Sequence, residues 1–157
     1  MKKPPAAIQA SGVPMRKGTG YPPPYNEPCM DRGKAILGNL FGLNQFGVNL
    51  VNLPPGVWSS QRHWHVNEDE FVYVMEGEIT LCDDDGSHLM TPGMCAGFKA
   101  NNGNGHCLKN LNNLPAQYLE IGTRAKSEQG FYSDIDMQFV EDEKGERFLR
   151  KDGSAIW

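Results

Sequence analysis

Three side chains within residues 63–70 carry the ligand chemistry of a divalent metal: His63, His65 and Glu70. Two histidines at i and i+2 of an extended segment project to the same side, because strand side chains alternate with a period of two. Both imidazoles can therefore share one ion. Neutral imidazole nitrogen and carboxylate oxygen are ligand types that divalent iron, manganese, nickel, copper and zinc accept. Glu68, Asp69 and Glu70 are successive carboxylates, and strand parity does not choose among them: either Val72 and Val74 or Phe71, Tyr73 and Met75 can face inward. Glu68 and Asp69 read equally well as solvated turn residues. Gln61 shares parity with the two histidines, as a group that orients a ligand or donates to a bound carbonyl, or as a plain polar residue near them. Arg62 and Trp64 take the opposite face, where Trp64 suits packing between sheets or subunits. His88 has no such company and reads as an ordinary strand residue. The stretch is one ligand short, and the rest of the chain must supply it.

The elements around it read as short strands. Residues 46–53 are β-branched and apolar and stop at Pro54-Pro55-Gly56, strong turn chemistry. Val57 to His65 follows as a second strand, and Glu70 to Met75 as a third, apolar enough to be buried on both faces. Turns at 76–78, 83–86 and 92–93 then separate returns at 79–82, 87–91 and 94–99. That meander spacing belongs to sandwiches, barrels and jelly rolls. Residues 107–111 and 116–122 read as further strands, the barrel ending near Arg124. Beyond it, Ile135, Met137 and Phe139 alternate with polar residues, and residues 125–157 read as an extension ending in a β-hairpin. Residues 29–44 allow a turn of helix or an edge strand. Residues 1–35 form a proline-rich arm, with Pro22-Pro23-Pro24 flanked by Tyr21 and Tyr25. It is extended and docks on the barrel or a partner subunit, or else is a disordered tail.

Composition narrows the class. At 157 residues the chain is about one domain, and 18 Gly with 11 Pro fit many strands joined by tight turns. A net charge of -4 without a basic run argues against a nucleic-acid partner. No apolar stretch approaches the roughly 20 residues of a membrane span, and the first residues lack the apolar run of a signal peptide. A soluble cytoplasmic protein without a membrane partner is the expectation. Cys29, Cys82, Cys95 and Cys107 form no Cys-x-x-Cys pair and are expected as reduced thiols.

Gly56, His63-Trp64-His65, Glu70 and Gly77, followed by Pro92-Gly93, His106 and Asn110, resemble the two motifs of the cupin superfamily in order. The resemblance covers roughly residues 36–122 of a barrel read as residues 36–124, and is to bacterial single-domain, cupin-2-type conserved barrel proteins. It implies an all-β, double-stranded β-helix (jelly-roll) barrel. It also implies that His63, His65, Glu70 and His106 converge on one divalent transition metal: Fe, Mn, Zn or Ni. The motif, not local spacing, selects Glu70 and supplies His106. Three departures touch no ligand. Gly56 stands one residue further from His63 than usual, Met94 and Lys99 replace the common Asp and Pro, and the loop before His106 is longer.

Three neutral imidazoles and one carboxylate would leave a divalent ion with residual positive charge, able to polarise a carbonyl or, as Fe(II), to activate dioxygen. The expectation is a metal-dependent isomerase, lyase or dioxygenase acting on a small polar or anionic metabolite, a sugar derivative or a carboxylic acid. The alternative is a non-catalytic cupin that binds a small molecule as a sensor. No general base is visible in the sequence. The apolar third strand, the arm and the terminal hairpin suggest a homodimer.

Overall fold

The computed structural model describes residues 4–156 and contains thirteen strands. In chain order they are β1 (Arg16–Lys17), β2 (Gly33–Ile36), β3 (Phe46–Leu53), β4 (His63–His65), β5 (Glu70–Glu76), β6 (Ile79–Asp83) and β7 (Gly86–Met90). β8 (Cys95–Phe98), β9 (Cys107–Lys109), β10 (Ala116–Thr123), β11 (Glu128–Tyr132), β12 (Gln138–Asp142) and β13 (Gly145–Leu149) complete the set. One short helix, α1 (Leu37–Leu40), follows β2, so the segment that allowed strand or helix holds both. The strands form a jelly-roll barrel from an antiparallel sheet β1-β2-β3-β10-β5-β8, a sheet β13-β12-β11-β4 and a sheet β7-β6-β9.

The main core contains Val51, Leu53, Val72, Val74, Ile79, Leu81, Met90, Leu108 and Tyr118, drawn from the first and third sheets. Each buried aliphatic side chain there contributes roughly 1.5–3 kcal/mol. A second cluster of Tyr132, Met137 and Phe139 is joined by Tyr21 and Tyr25 of the arm and Phe148 of the hairpin. Tyr21 meets the rings of Tyr132 and Phe148 edge-on, with centroids 5.4 and 5.5 Å away. Aromatic side chains on both sides of the proline run thus tie the arm to the barrel.

Several local expectations are corrected. Val57–Gln61 is not a strand: Ser59 N donates to Leu108 O and Ser59 Oγ accepts from Leu108 N. A side chain that bonds the neighbouring backbone in this way competes with a regular ladder, and only His63–His65 is strand. β5 is not buried on both faces. Val72 and Val74 point inward, while Phe71, Tyr73 and Met75 are exposed at 40–47%. The strand at 107 ends at Lys109, since Asn110 is fully buried and donates to the carbonyls of Leu53 and Leu114. Strand pairing also continues past Arg124: β11, unrecognised in the sequence, pairs with β4 of a separate sheet in register Gly130↔His65, Phe131↔Trp64 and Tyr132↔His63. Trp64 consequently meets the Phe131 ring across that ladder, with centroids 5.0 Å apart and the planes tilted by 32°.

Gly77 shows why the turn after β5 needs glycine. Its φ is +72°, and a Cβ there would stand 2.5 Å from the carbonyl oxygen of Pro115. The atoms it would meet belong to the backbone and Cβ of Pro115–Ala116, which have no flexible end to give way.

Candidate metal centre

Three strand elements bring four side chains to one point. β4 presents His63 and His65 on the same face, as alternation requires. Glu70 is the first residue of β5, opposite Gly122 of β10, which has no side chain to crowd it. His106 arrives through a backbone bridge to His63, N to O in both directions at 3.1 and 2.9 Å. Phe98 then lies flat on the His106 ring, with centroids 3.5 Å apart.

The donor atoms are close. His63 Nε2 lies 3.2 Å from His65 Nε2, and Glu70 Oε2 lies 3.2 Å from His65 Nε2 and 2.9 Å from His106 Nε2. Metal–nitrogen bonds of about 2.0–2.1 Å put ligand atoms about 3 Å apart at right angles and about 3.4 Å apart at tetrahedral angles. These three separations are of that size, and the donor atoms of His63, Glu70 and His106 all lie within 4.8 Å of one another. Glu70 Oε2 is buried and, although the His65 and His106 Nε2 atoms stand close to it, has no aligned hydrogen bond among the described residues. Buried polar atoms without partners are rare enough to need a reason, and a cation among these groups supplies one.

Burial and mutual contact set the protonation of the cluster. Burial pushes the His63 imidazolium down to about 4, against the pull of Glu70, so the ring is neutral near pH 7. Glu70 is held well below the usual carboxylate range: burial opposes this, but the His106 and His65 imidazoles outweigh it. His65 is raised, since Glu70 and Glu128 more than offset its burial.

The surroundings separate the other sequence candidates. Glu68 accepts from Ala125 N and Asp69 from Ala100 N, each at a turn. The side chain of Gln61 donates to the Tyr25 carbonyl at 2.8 Å and does not line the cavity. Its backbone carbonyl is what faces His63 Nδ1. Arg62 pairs with Asp134 and Asp84. His88 pairs with Asp83 away from the centre.

A chain solved as a sugar phosphate isomerase of the cupin superfamily from Silicibacter pomeroyi is 45% identical, with 96% of each chain covered and a TM-score of 0.93. The chain belongs to the cupin superfamily. A cupin domain family model matches residues 49–122. A chain from Acidithiobacillus ferrooxidans, named provisionally as a sugar phosphate isomerase, is 24% identical over 84% of this chain and 83% of its own, with a TM-score of 0.76. The polyketide cyclase RemF from Streptomyces resistomycificus shares the fold at 17% identity, covering 74% and 78% of the two chains with a TM-score of 0.59. Among curated proteins none matches.

The cupin cavity of ≈ 290 Å³ over the four side chains is walled by residues that the sequence did not single out, among them Arg32, Lys34, Glu120, Tyr132 and Glu146. Glu120 is bonded to Lys34 Nζ at 2.7 Å and Asn49 Nδ2 at 2.9 Å. Burial raises its pKa, but Lys34 prevails and keeps it below the ordinary value. Glu146 is pushed the other way, by burial and by Glu141. Glu128, 3% exposed, also lay outside the sequence reading. It accepts from the Val66 and Asn67 amides and stands 3.8 Å from His65 Nδ1. With His65 and Glu68 it forms a second group of potential ligands. His65 Nε2, however, faces His63 and Glu70, which leaves Glu128 on the far side of the ring.

Proposed function

We propose that this cupin is a metal-dependent isomerase of sugar phosphates, with His63, His65, Glu70 and His106 holding one divalent transition metal, Fe, Mn, Zn or Ni. The observation that carries the reading is the clustering of His63, Glu70 and His106, whose donor atoms all lie within 4.8 Å of one another, with His65 Nε2 3.2 Å from both His63 Nε2 and Glu70 Oε2, beside a polar cavity. Likeness to the Silicibacter pomeroyi sugar phosphate isomerase along nearly the whole of both chains supports the choice of isomerisation over lyase or dioxygenase chemistry. Bound there, the metal would act as a Lewis acid on a carbonyl or hydroxyl oxygen.

Isomerisation of an aldose to a ketose moves one proton from the carbon beside the carbonyl to the carbonyl carbon, and one between the two oxygens. No oxidant is needed. The cavity wall offers two carboxylates outside the ligand set whose environments drive them apart: Glu120, held ionised by Lys34, and Glu146, raised towards its neutral form. Such a divided pair is the pattern of a base and an acid working at one pH. Glu120 is the group we assign to the carbon proton, and Glu146, at the cavity mouth, to the oxygen proton.

The test is elemental analysis of the purified protein followed by a panel of aldose and ketose phosphates assayed in deuterated water with each metal restored. Interconversion with deuterium at the carbon beside the carbonyl is expected. Bound metal with no turnover on any phosphate would defeat the isomerase assignment and favour a non-catalytic binding role.

We further propose a homodimer. The support is the outward row Phe71, Tyr73 and Met75 on β5, flanked in register by Ile121 and Leu119 of β10. A contiguous apolar face of this kind is a common mark of an interface.

A further inference from the structure

We infer that a basic cavity beside the metal centre is a subsite for a phosphate monoester, lined by Arg16, Lys17, Arg32 and Lys34. This inference deepens the isomerase reading and rests on it only for the identity of the sugar end. The cavity, of ≈ 260 Å³, is closed on the arm side by Gly18, Thr19 and Gly20. No carboxylate lines it, although the chain as a whole carries a net charge of -4. Thr19, Gly20, Arg32 and Lys34 also line the cavity over the histidines, so the two spaces share a wall.

The local structure is built around positive charge. Arg16 of β1 stands directly opposite Lys34 of β2 in the antiparallel ladder. Like charges at facing positions repel, and an anion between them relieves the repulsion. The Arg32 guanidinium is pinned: Nη1 donates to Ser59 O and Nη2 to Gly18 O at 2.9 Å. Its Nε–H is buried with no partner among the described residues. A fixed, planar cation on a cavity wall, with one bond made by each terminal nitrogen and N–H groups to spare, is the group best suited to a phosphate oxygen. Lys34 Nζ makes one ion pair, with Glu120, and an ammonium has three donors.

A sugar phosphate seated this way has its phosphoryl group at Arg16, Arg32 and Lys34, between the arm and β2, and its carbonyl end towards His63, Glu70 and His106. The arm then contributes to the site itself: β1 and the turn Gly18-Thr19-Gly20 close one side of the anion cavity. Nothing in the motif around residues 56–77 carries this information.

The experiment uses the full chain stripped of metal, so that phosphate cannot be captured by the ion. Inorganic phosphate, ribose 5-phosphate, fructose 6-phosphate and the free sugars are titrated calorimetrically at fixed ionic strength, and divalent metal uptake is measured on the same sample. Both sugar phosphates and inorganic phosphate are expected to bind, the free sugars not, with affinity falling as salt rises. Arg16→Ala is expected to weaken each phosphate about tenfold, the loss typical of one charge-assisted contact. Lys34→Gln is expected to do the same. Arg16 is exposed, so its variant keeps the test decisive if Lys34→Gln folds poorly. No phosphate binding, binding of inorganic phosphate alone, or full affinity in Arg16→Ala would each overturn the subsite. Metal uptake without phosphate binding removes the subsite and leaves the metal centre standing. Phosphate binding without metal uptake does the reverse.

Discussion

The carbonyl oxygen of Gln61 stands 2.9 Å from Nδ1 of His63. A carbonyl only accepts, so Nδ1 carries the proton and Nε2 keeps its lone pair towards His65 and the centre. A backbone atom two residues upstream therefore sets the tautomer. No side-chain substitution at position 61 should abolish that bond, and Gln61→Ala is expected to act through the arm, by freeing the Tyr25 carbonyl, instead of through the metal.

Removing a ligand should separate binding from folding. His106→Ala is expected to lower metal affinity by more than the 10–100-fold that loss of an outer-shell partner costs. The fold should persist, because the main core of Val51, Leu53, Val74 and Ile79 does not include the ligands. Metal-to-protein ratio after dialysis and thermal melts with and without chelator provide the check. At metal a hundredfold above its Kd the melt should report about 2.7 kcal/mol of stabilisation, lost on chelation. Unfolding of the metal-free chain would instead mark the ion as structural.

Glu128 tests the far side of the His65 ring. Its carboxylate accepts from the Val66 and Asn67 amides while nearly fully buried. Glu128→Gln keeps one acceptor and loses the charge beside His65 Nδ1. A loss of roughly 1–3 kcal/mol in denaturant unfolding is expected, with metal affinity reduced about tenfold. Unchanged affinity beside reduced stability would confine Glu128 to holding the turn.

These two residues also mark what the sequence could carry. His63 and His65 announce themselves because a strand's period of two is local, and the family pattern adds Glu70 and His106. Glu128, Arg32, Lys34 and Glu120 have no such signature. Each reaches the site through pairing between distant strands, Glu128 through β11 on β4 and Lys34 through β2 on β3, and register across such distances is not written in any short window. Gln61 points to the Tyr25 carbonyl for a related reason: parity assumes a regular strand from Val57, where Ser59 bonds the backbone of Leu108 instead. The apolar run of β5 likewise said nothing about which face another subunit or solvent would meet.

Gly77→Ala should be among the costliest single changes. The added methyl meets the backbone of Pro115 and Ala116, at a φ of +72° that side chains other than glycine's disfavour. Strain of this class costs of order 1–3 kcal/mol, and the steric overlap adds to it. Chemical denaturation would read the loss, while a variant as stable as the parent would mean that the turn can rearrange.

The thiols should divide by burial. Cys29 and Cys107 are buried, and desolvation pushes them up to about 11 and about 12, whereas Cys95 is exposed. Native protein at pH 8 is expected to react quickly with a thiol reagent at Cys95 and slowly at Cys29 and Cys107, with all four reacting in denaturant. The raised values also set a sign. Unfolded thiols lose protons near 8.5, so between there and about 11–12 the unfolded chain binds fewer protons and stability falls as pH rises. The contribution is fully present below about pH 8. Melts at pH 8 and pH 10 of the parent and of Cys107→Ala should show a smaller pH decrement in the variant.

The outward face of β5 is where the proposed homodimer is tested. Phe71, Tyr73 and Met75 are 40–47% exposed in the single chain, and Tyr73 faces Leu119 of β10 in register. Alternate positions on one strand occupy one face, so these side chains with Leu119 and Ile121 form a surface that water penalises and a second copy would cover. Light scattering at micromolar concentration is expected to give twice the 17.4 kDa of the chain. Tyr73→Glu places a charge in the middle of that face without touching the inward Val72 and Val74, and it is expected to yield a folded monomer that still takes up metal. A parent protein that runs as a monomer removes the interface. A variant that stays dimeric moves it to another face, with the arm and the β12–β13 hairpin the next surfaces to test.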